Sequence, residues 1–239
     1  MEKEKILGYD ICNESSSKIL KEIFKDFNLG IQNFIVNINP EIAVKNYKNN
    51  YFRNQFNSQK FQIPDGIGIV LASKLKKGNI KERVTGIDFM GEICKESVKN
   101  SGKIFLYGAK EDVVEKAAEE LKNKYPGLVI SGTCDGYCDK EIAISKINNS
   151  NANILFVALG SPKQELFILE NKEKLAKIKI FMPVGGSFDV ISNNIKRAPK
   201  WVIKLNLEWL YRLIRQPWRF FRQLKLIKFI FLVIKEKRR

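Results

Sequence analysis

The 239-residue chain contains no histidine. A reaction that needs a general base must therefore use a carboxylate or, less readily, a cysteine, tyrosine or lysine. Asp65 is the first candidate, because it ends an apolar segment and lies in the tripeptide Pro64–Gly66. Pro-Asp-Gly is also typical of a plain turn, so the residue types alone leave both interpretations open.

Cysteine is scarce as well, with four residues at positions 12, 94, 134 and 138. Cys134 and Cys138 are spaced too widely for a CxxC redox pair. A zinc site would need further ligands, and the chain has no histidine to supply them. We expect four reduced thiols in a cytosolic protein.

Long apolar runs are missing from both ends of the chain. Met1–Asp10 has no apolar core of the length that a signal peptide needs. Near the C-terminus the longest run without a charge is Phe229–Ile234, far shorter than the ~20 residues of a membrane span. We therefore expect neither a signal peptide nor a span.

Positive charge is concentrated in residues 196–239, which contain 14 Lys+Arg and two acidic residues, whereas residues 1–195 contain 28 and 24. Basic residues beside apolar ones predict a helix in a membrane interface, where each Lys or Arg near an anionic leaflet contributes ~1 kcal/mol. A core-packing helix with a solvated basic face is the alternative. The apolar residues are Phe220, Phe221, Leu224, Ile227, Phe229, Ile230, Phe231 and Leu232.

Short apolar segments alternate with segments of helical spacing, which predicts a Rossmann-like parallel α/β sheet flanked by helices. We expect an α/β core at residues 1–195 and a basic amphipathic helical appendage at residues 196–239. The predicted strands are Ile6–Cys12, Gln32–Asn37, Lys103–Tyr107, Leu128–Ser131, Ala152–Leu159 and Ile178–Val184, with a further strand ending before Asp65.

The predicted helices include one that begins at Pro40 with Asn39 as its N-cap, and one after Ser161 with a capping box of Ser161 and Gln164. The others are Ser15–Asn28, Gly66–Leu75, Ile87–Lys99, Glu111–Lys124, Pro199–Gln216 and Trp218–Lys235.

Ligands of parallel α/β sheets bind beyond the carboxyl ends of the strands. Asn37, Asn39 and Asp65 are expected there. Glycines at such ends can let a ligand approach the backbone. On this basis Gly108 is a candidate phosphate contact, and Gly185 and Gly186 are candidate ligand contacts, although each glycine also suits a plain turn.

Several short segments, in order over nearly the whole chain, resemble the WecG/TagA/CpsF glycosyltransferase family, and within it the branch of wall teichoic acid synthesis. These segments are NPEIA (Asn39–Ala43), PDGIG (Pro64–Gly68), RVTGIDF (Arg83–Phe89), FLYGAKEDV (Phe105–Val113), GSPKQE (Gly160–Glu165), GGSFDV (Gly185–Val190), RAPKW (Arg197–Trp201), LNLEWLYRL (Leu205–Leu213) and PWR (Pro217–Arg219).

The resemblance implies an inverting transfer of N-acetylmannosamine from UDP-N-acetylmannosamine to the 4-hydroxyl of N-acetylglucosamine on undecaprenyl diphosphate. It further implies an appendage that completes the site on the inner face of the cell membrane, and self-association. The residues it points to are Asp65 as the base, Asn37 where the family usually has Thr, Arg83 as a phosphate or sugar contact, Gln164 as a donor contact, and Arg212, Arg219 and Arg222 as contacts of the lipid diphosphate.

Many glycosyltransferases hold a divalent metal with an Asp-x-Asp pair, and this chain has none. We therefore expect no metal and no cofactor, with helix N-termini and arginines stabilising the UDP leaving group.

Two alternative functions stay open. One is another UDP sugar, with glucose or N-acetylmannosaminuronic acid. The other is a non-enzymatic protein that binds a nucleotide or nucleic acid, which the apolar residues among the basic ones disfavour. We thus expect no nucleic-acid partner. A dinucleotide dehydrogenase is disfavoured because no GxGxxG follows a strand.

Overall fold

The computed structural model describes residues 1–215 and 220–237, and within these ranges it leaves out the side chains of residues 212, 221–224 and 237. The strands are β1 (Lys3–Ile6), β2 (Tyr9–Cys12), β3 (Asn33–Ile38), β4 (Phe61–Pro64), β5 (Lys103–Gly108), β6 (Val129–Cys134), β7 (Ile154–Ala158) and β8 (Ile180–Pro183).

The helices are α1 (Ser16–Asn28), α2 (Pro40–Lys45), α3 (Asn50–Asn57), α4 (Ile67–Leu75), α5 (Gly86–Lys99), α6 (Glu111–Lys124), α7 (Lys140–Asn149), α8 (Lys163–Asn171), α9 (Ser187–Ile191), α10 (Lys200–Lys204), α11 (Glu208–Arg215) and α12 (Phe220–Lys237).

Strands β3 to β8 form a six-stranded sheet in the order β4-β3-β8-β7-β5-β6, and every pairing in it is parallel. Alternate residues of β3 enter the two cores: Phe34 and Val36 face one side, and Ile35 faces the other. All five residues of β7 are buried, as expected of a strand covered on both faces. The predicted parallel α/β fold is confirmed.

The predicted single strand Ile6–Cys12 is wrong. The chain folds there into an antiparallel hairpin, in which Ile6 of β1 pairs with Tyr9 of β2. Leu7 and Gly8 form its turn, with φ of 48° and 82°. Two consecutive residues with positive φ match the twist of a tight hairpin.

The predicted helix Pro199–Gln216 is interrupted. Asn206, with φ of 59°, lies between α10 and α11, and the Leu207 N–H donates to the Val202 carbonyl at 3.0 Å. This bond satisfies a carbonyl at the end of α10 and ends the helix. Gln216 and Trp218, boundary residues of the two predicted C-terminal helices, lie outside the described residues.

Helix α12 packs on α2 and α4. Phe229, Leu232 and Val233 are buried in the core on that side of the sheet, whereas Ile227 and Phe231 on the same helix are 67% and 65% exposed. The helix therefore covers the core and also presents apolar side chains outward. The division of the chain at residue 195 stays a prediction.

Within residues 1–215 and 220–237, no helix has both the length and the apolar character needed to cross a membrane.

Candidate active site

A cleft of about 530 Å³ lies at the carboxyl ends of β3, β4, β7 and β8. Its described lining comprises Asn37, Asn39, Glu41, Ile42, Asp65, Gly66, Arg83, Thr85, Gly86, Ile87, Gly160, Ser161, Gln164, Pro183, Val184, Gly185, Gly186, Ser187, Glu208 and Trp209. A larger groove of about 850 Å³ runs between α1 and α5. We place the site in the smaller cleft because ligands of parallel sheets bind at strand ends.

Asn39 and Asp65 meet because β3 and β4 are neighbours, with Ile38 paired to Pro64. The Asn39 Oδ1 accepts from the Ile42 N–H at 2.9 Å and caps α2. Its Nδ2 lies 3.5 Å from Asp65 Oδ2, at the long limit of a hydrogen bond. Asn39 thus performs the predicted capping, and its amide also contacts the Asp65 carboxylate.

Asn37 is buried at the end of β3. Its Nδ2 donates to the Pro183 carbonyl of β8 at 3.0 Å, which fixes the orientation of the amide. Its Oδ1 has no hydrogen-bond partner among the residues that the structure describes. A buried acceptor without a partner is unfavourable by about 1–3 kcal/mol, and a ligand N–H or O–H in the cleft would satisfy it.

Gln164 connects α8 to the turn after β8. Its Oε1 accepts from the Gly185 N–H at 3.1 Å, and its Nε2 donates to Glu165 Oε1 at 2.9 Å. The predicted capping box is wrong, because α8 begins at Lys163 with Pro162 at its N-cap and has no side-chain cap. The Gln164 amide is instead used to hold the Gly185–Gly186 turn against the cleft.

Glu165 is 2% exposed. Burial raises the pKa of its carboxyl, and the hydrogen bond from Gln164 opposes that rise. Its Oε2 has no partner within the described part of the chain. Glu165 therefore behaves as a buried acid that orients Gln164.

Arg83 joins the cleft to the C-terminal helices. Its Nη2 lies 3.8 Å from Oε2 of Glu208, the first residue of α11. The Arg197 Nε lies 3.9 Å from the other Glu208 oxygen, and its two terminal nitrogens donate to Asp88, each at 2.7 Å. Burial acts to raise the pKa of Asp88, but hydrogen bonds from Arg197 and Thr85 outweigh it, and the pKa is lowered.

The described lining of the cleft contains no cysteine, tyrosine or lysine. Burial also raises the pKa of Cys94 to about 12. The carboxylates that remain are Glu41, Asp65 and Glu208, of which Glu41 lies 3.1 Å from the Lys225 ammonium and Glu208 faces two arginines. Asp65 follows β4 directly at the carboxyl edge of the sheet, where ligands of parallel sheets bind, and it is our candidate for the base.

The cleft brings together Asn37, Asn39, Asp65, Arg83, Gln164, Gly185 and Gly186 from the predicted site. Gly108 lies instead against β7, where a Cβ would come within 2.5 Å of the Ala158 carbonyl, so packing accounts for this glycine. Arg219 and the side chains of Arg212 and Arg222 lie outside the described residues.

Sequence reasoning missed some of the lining, notably Thr85, Glu208 and Trp209. Thr85 could have been found, because a Thr three residues before Asp88 is an N-cap signal, and its Oγ1 does cap α5. Glu208 and Trp209 could not, because their position depends on the break between α10 and α11.

Among the described residues, no three or more Cys, Asp or Glu side chains are grouped so as to hold a metal ion. Metal independence stays a prediction.

The chain matches, over residues 4–239, the model of a family described as the glycosyl transferase WecG/TagA/CpsF family. It is 42% identical over 205 residues to the N-acetylglucosaminyldiphosphoundecaprenol N-acetyl-beta-D-mannosaminyltransferase of Bacillus subtilis strain 168, covering 85% of this chain and 80% of the relative. It is 37% identical over 220 residues to the enzyme of the same name from Bacillus spizizenii strain W23, covering 92% and 84%. Together with the parallel sheet and the cleft at its strand ends, these matches show that the chain belongs to the WecG/TagA/CpsF glycosyltransferase family.

Proposed function

We propose that this glycosyltransferase moves N-acetylmannosamine from UDP-N-acetylmannosamine to the 4-hydroxyl of N-acetylglucosamine on undecaprenyl diphosphate, with inversion at the anomeric carbon. The observation that carries the proposal is the Asp65 carboxylate, which lies beside the Asn39 amide in a polar cleft at the strand ends. The names of the two Bacillus relatives supply the acceptor and the transferred sugar. The product would be a linkage disaccharide for wall teichoic acid.

In this proposal, Asp65 takes the proton of the acceptor hydroxyl as that oxygen attacks the anomeric carbon. The bond between this carbon and the UDP oxygen breaks in the same step, so one base and one stabilised leaving group suffice. Asn39 holds Oδ2 of the base, and the protonated Asp65 returns its proton to solvent after the product leaves.

Charge develops on the UDP diphosphate as the bond breaks. The Arg83 guanidinium and the turn at Gly185 and Gly186, held by Gln164, lie in the same cleft. Preorganised donors at developing charge are typically the largest electrostatic contribution to catalysis. We assign the turn and Gln164 to the UDP diphosphate of the donor, and Arg83 to the diphosphate of the lipid acceptor.

The Asn37 Oδ1 is assigned to the donor sugar. It is a buried acceptor facing the cleft without a described partner, and both the hydroxyls and the acetamido N–H of N-acetylmannosamine can donate to it.

The assay is transfer from a panel of UDP sugars to a water-soluble N-acetylglucosamine diphosphate lipid analogue, with the linkage of the product determined by NMR. We expect N-acetylmannosamine in β linkage to the 4-hydroxyl. Transfer of glucose or N-acetylmannosaminuronic acid in preference would assign a different donor, and retention at the anomeric carbon would contradict the mechanism.

We further propose that the protein binds peripherally to the inner face of the cell membrane. This is supported by Ile227 and Phe231, exposed on a helix rich in Lys and Arg. Sedimentation with anionic and neutral vesicles tests it. We expect the protein to sediment with the anionic vesicles, less so at higher salt and less so for Phe231→Asn. If the same fraction of protein sedimented with anionic and neutral vesicles, the proposal would be contradicted.

A further inference from the structure

The polar cleft continues into an apolar groove between α4 and α12. The connection is a neck of about 170 Å³, whose lining includes Arg83 and Trp209 from the cleft together with Gly68 and Leu226. Beyond the neck lies a groove of about 410 Å³, which Trp209, Gly68 and Leu226 also line. The cleft, the neck and the groove are therefore adjacent, and a ligand bound in the cleft can extend between the two helices.

The side chains that line the groove are almost all apolar. Its described residues are Ile67, Gly68, Leu71, Ala72, Lys74, Leu75, Trp209, Leu226, Phe229, Ile230 and Val233. Lys74 is the one charged residue among them. Leu71 on α4 and Ile230 on α12 remain 47% and 39% exposed across the groove. Apolar side chains facing each other across a groove of this kind mark a place for an apolar ligand.

Gly68 lies at the neck, where three helices pack closely. A Cβ at this position would lie 2.5 Å from Cγ of Pro40 and 3.2 Å from Cδ1 of Leu226. Glycine therefore allows α4, α2 and α12 to approach closely where the neck narrows.

We propose that this groove binds the isoprenoid units nearest the diphosphate of the lipid acceptor. The inference rests on the proposed function, because a lipid diphosphate is the one proposed substrate with a charged group and a long hydrocarbon tail joined end to end. The diphosphate lies at the Arg83 end of the neck, and the first isoprenoid units pass Trp209 and Leu226 into the groove between α4 and α12.

Through this groove the enzyme recognises the lipid part of the acceptor as well as its sugar. The acceptor's position along the cleft is set at both ends, by the diphosphate near Arg83 and by the tail beside Leu71 and Ile230. Holding a substrate at points remote from the reacting atom is an effective way to orient it.

A direct binding assay tests this without sugar transfer. The chain has three tryptophans, so Trp201→Phe and Trp218→Phe leave Trp209 as the only indole. Farnesyl diphosphate, inorganic diphosphate and UDP are each titrated without vesicles or detergent. We expect farnesyl diphosphate to shift Trp209 emission to the blue and to bind at least about tenfold more tightly than inorganic diphosphate.

In that background, Leu71→Asn and Ile230→Asn should each weaken farnesyl diphosphate binding about tenfold and leave the affinities for inorganic diphosphate and UDP unchanged. Ile227→Asn is the matched control, because Ile227 lies on the same helix but outside the groove. This substitution should leave the affinities for farnesyl diphosphate, inorganic diphosphate and UDP unchanged.

Equal affinity for farnesyl diphosphate and inorganic diphosphate would overturn the proposal. So would an equal loss in the Ile227 control, which would mark α12 as a general membrane-facing surface. A dimer in sedimentation that Leu71→Asn dissociates would assign the groove to a second copy of the chain and overturn it as well.

The outcome is separable from that of the proposed function. A protein that transfers no N-acetylmannosamine but binds farnesyl diphosphate through Leu71 and Ile230 would contradict the function and support the groove. Transfer that proceeds with the same KM for prenylated and unprenylated acceptors would support the function and overturn the groove.

Discussion

The guanidinium of Arg83 lies 3.8 Å from the carboxylate of Glu208, and both side chains are largely buried, with 13% and 8% exposed. Arg83 lies just before α5, whereas Glu208 is the first residue of α11. The ion pair therefore ties the first part of the C-terminal region to the wall of the cleft.

Glu208→Gln should destabilise the protein by about 2 kcal/mol, because it removes the carboxylate that faces the largely buried guanidinium of Arg83, whereas Arg197 keeps its bonds to Asp88. It should also raise the KM for the acceptor, since Trp209 next to it lines both cleft and groove. Urea denaturation and steady-state kinetics measure the two effects. Glu236→Gln, which breaks the more exposed pair with Lys76, is the control and should leave the acceptor KM unchanged. Equal effects in both variants would contradict the role of Glu208.

Asn37→Ala should lower kcat/KM for the sugar donor at least about tenfold, because it removes the buried acceptor assigned to the sugar. The affinity for UDP alone should stay within about twofold of the wild type, since UDP lacks the group that Oδ1 is proposed to accept. Calorimetry with UDP and kinetics with the sugar nucleotide separate the two. A parallel loss of UDP affinity would place Asn37 at the nucleotide instead.

Glu165 should make stability depend on pH. Burial raises the pKa of its folded-state carboxyl above 4.5, so the folded protein binds more protons than the unfolded chain above that pH, and its stability falls as the pH rises. Glu165→Gln removes this contribution. Its free energy of unfolding, relative to the wild type, should therefore increase as the pH rises from about 4.5 towards neutrality. A difference that stays constant over that range would contradict a raised pKa.

Chelation should leave activity intact. The chain has no Asp-x-Asp pair, and we assign leaving-group stabilisation to the Gly185–Gly186 turn held by Gln164. Transfer measured after dialysis against EDTA should match the untreated rate, and added Mg²⁺ or Mn²⁺ should not increase it. A strict requirement for either ion would contradict this assignment.

The sequence predicted the parallel sheet because its strands are short, apolar and separated by helical segments. It also predicted the meeting of Asn39 and Asp65, because neighbouring parallel strands end at one edge. It did not predict the hairpin at Leu7–Gly8, where the reversal depends on two residues with positive φ. The predicted capping box at Ser161 is wrong for a related reason. The pattern considers only neighbouring residues, whereas the Gln164 side chain accepts from the Gly185 N–H, in the turn after β8. The groove is likewise absent from any local pattern, since α4 and α12 are far apart in the chain.

The central claim is that Asp65 is the catalytic base. The most direct test is sugar transfer by Asp65→Asn, which preserves the size of the side chain and removes its basicity, compared with the wild type at equal UDP affinity. We predict a fall in kcat of about 10²–10⁴-fold with UDP binding retained. A variant that transfers at a rate near that of the wild type would contradict the claim and leave Asp65 as a residue of the turn.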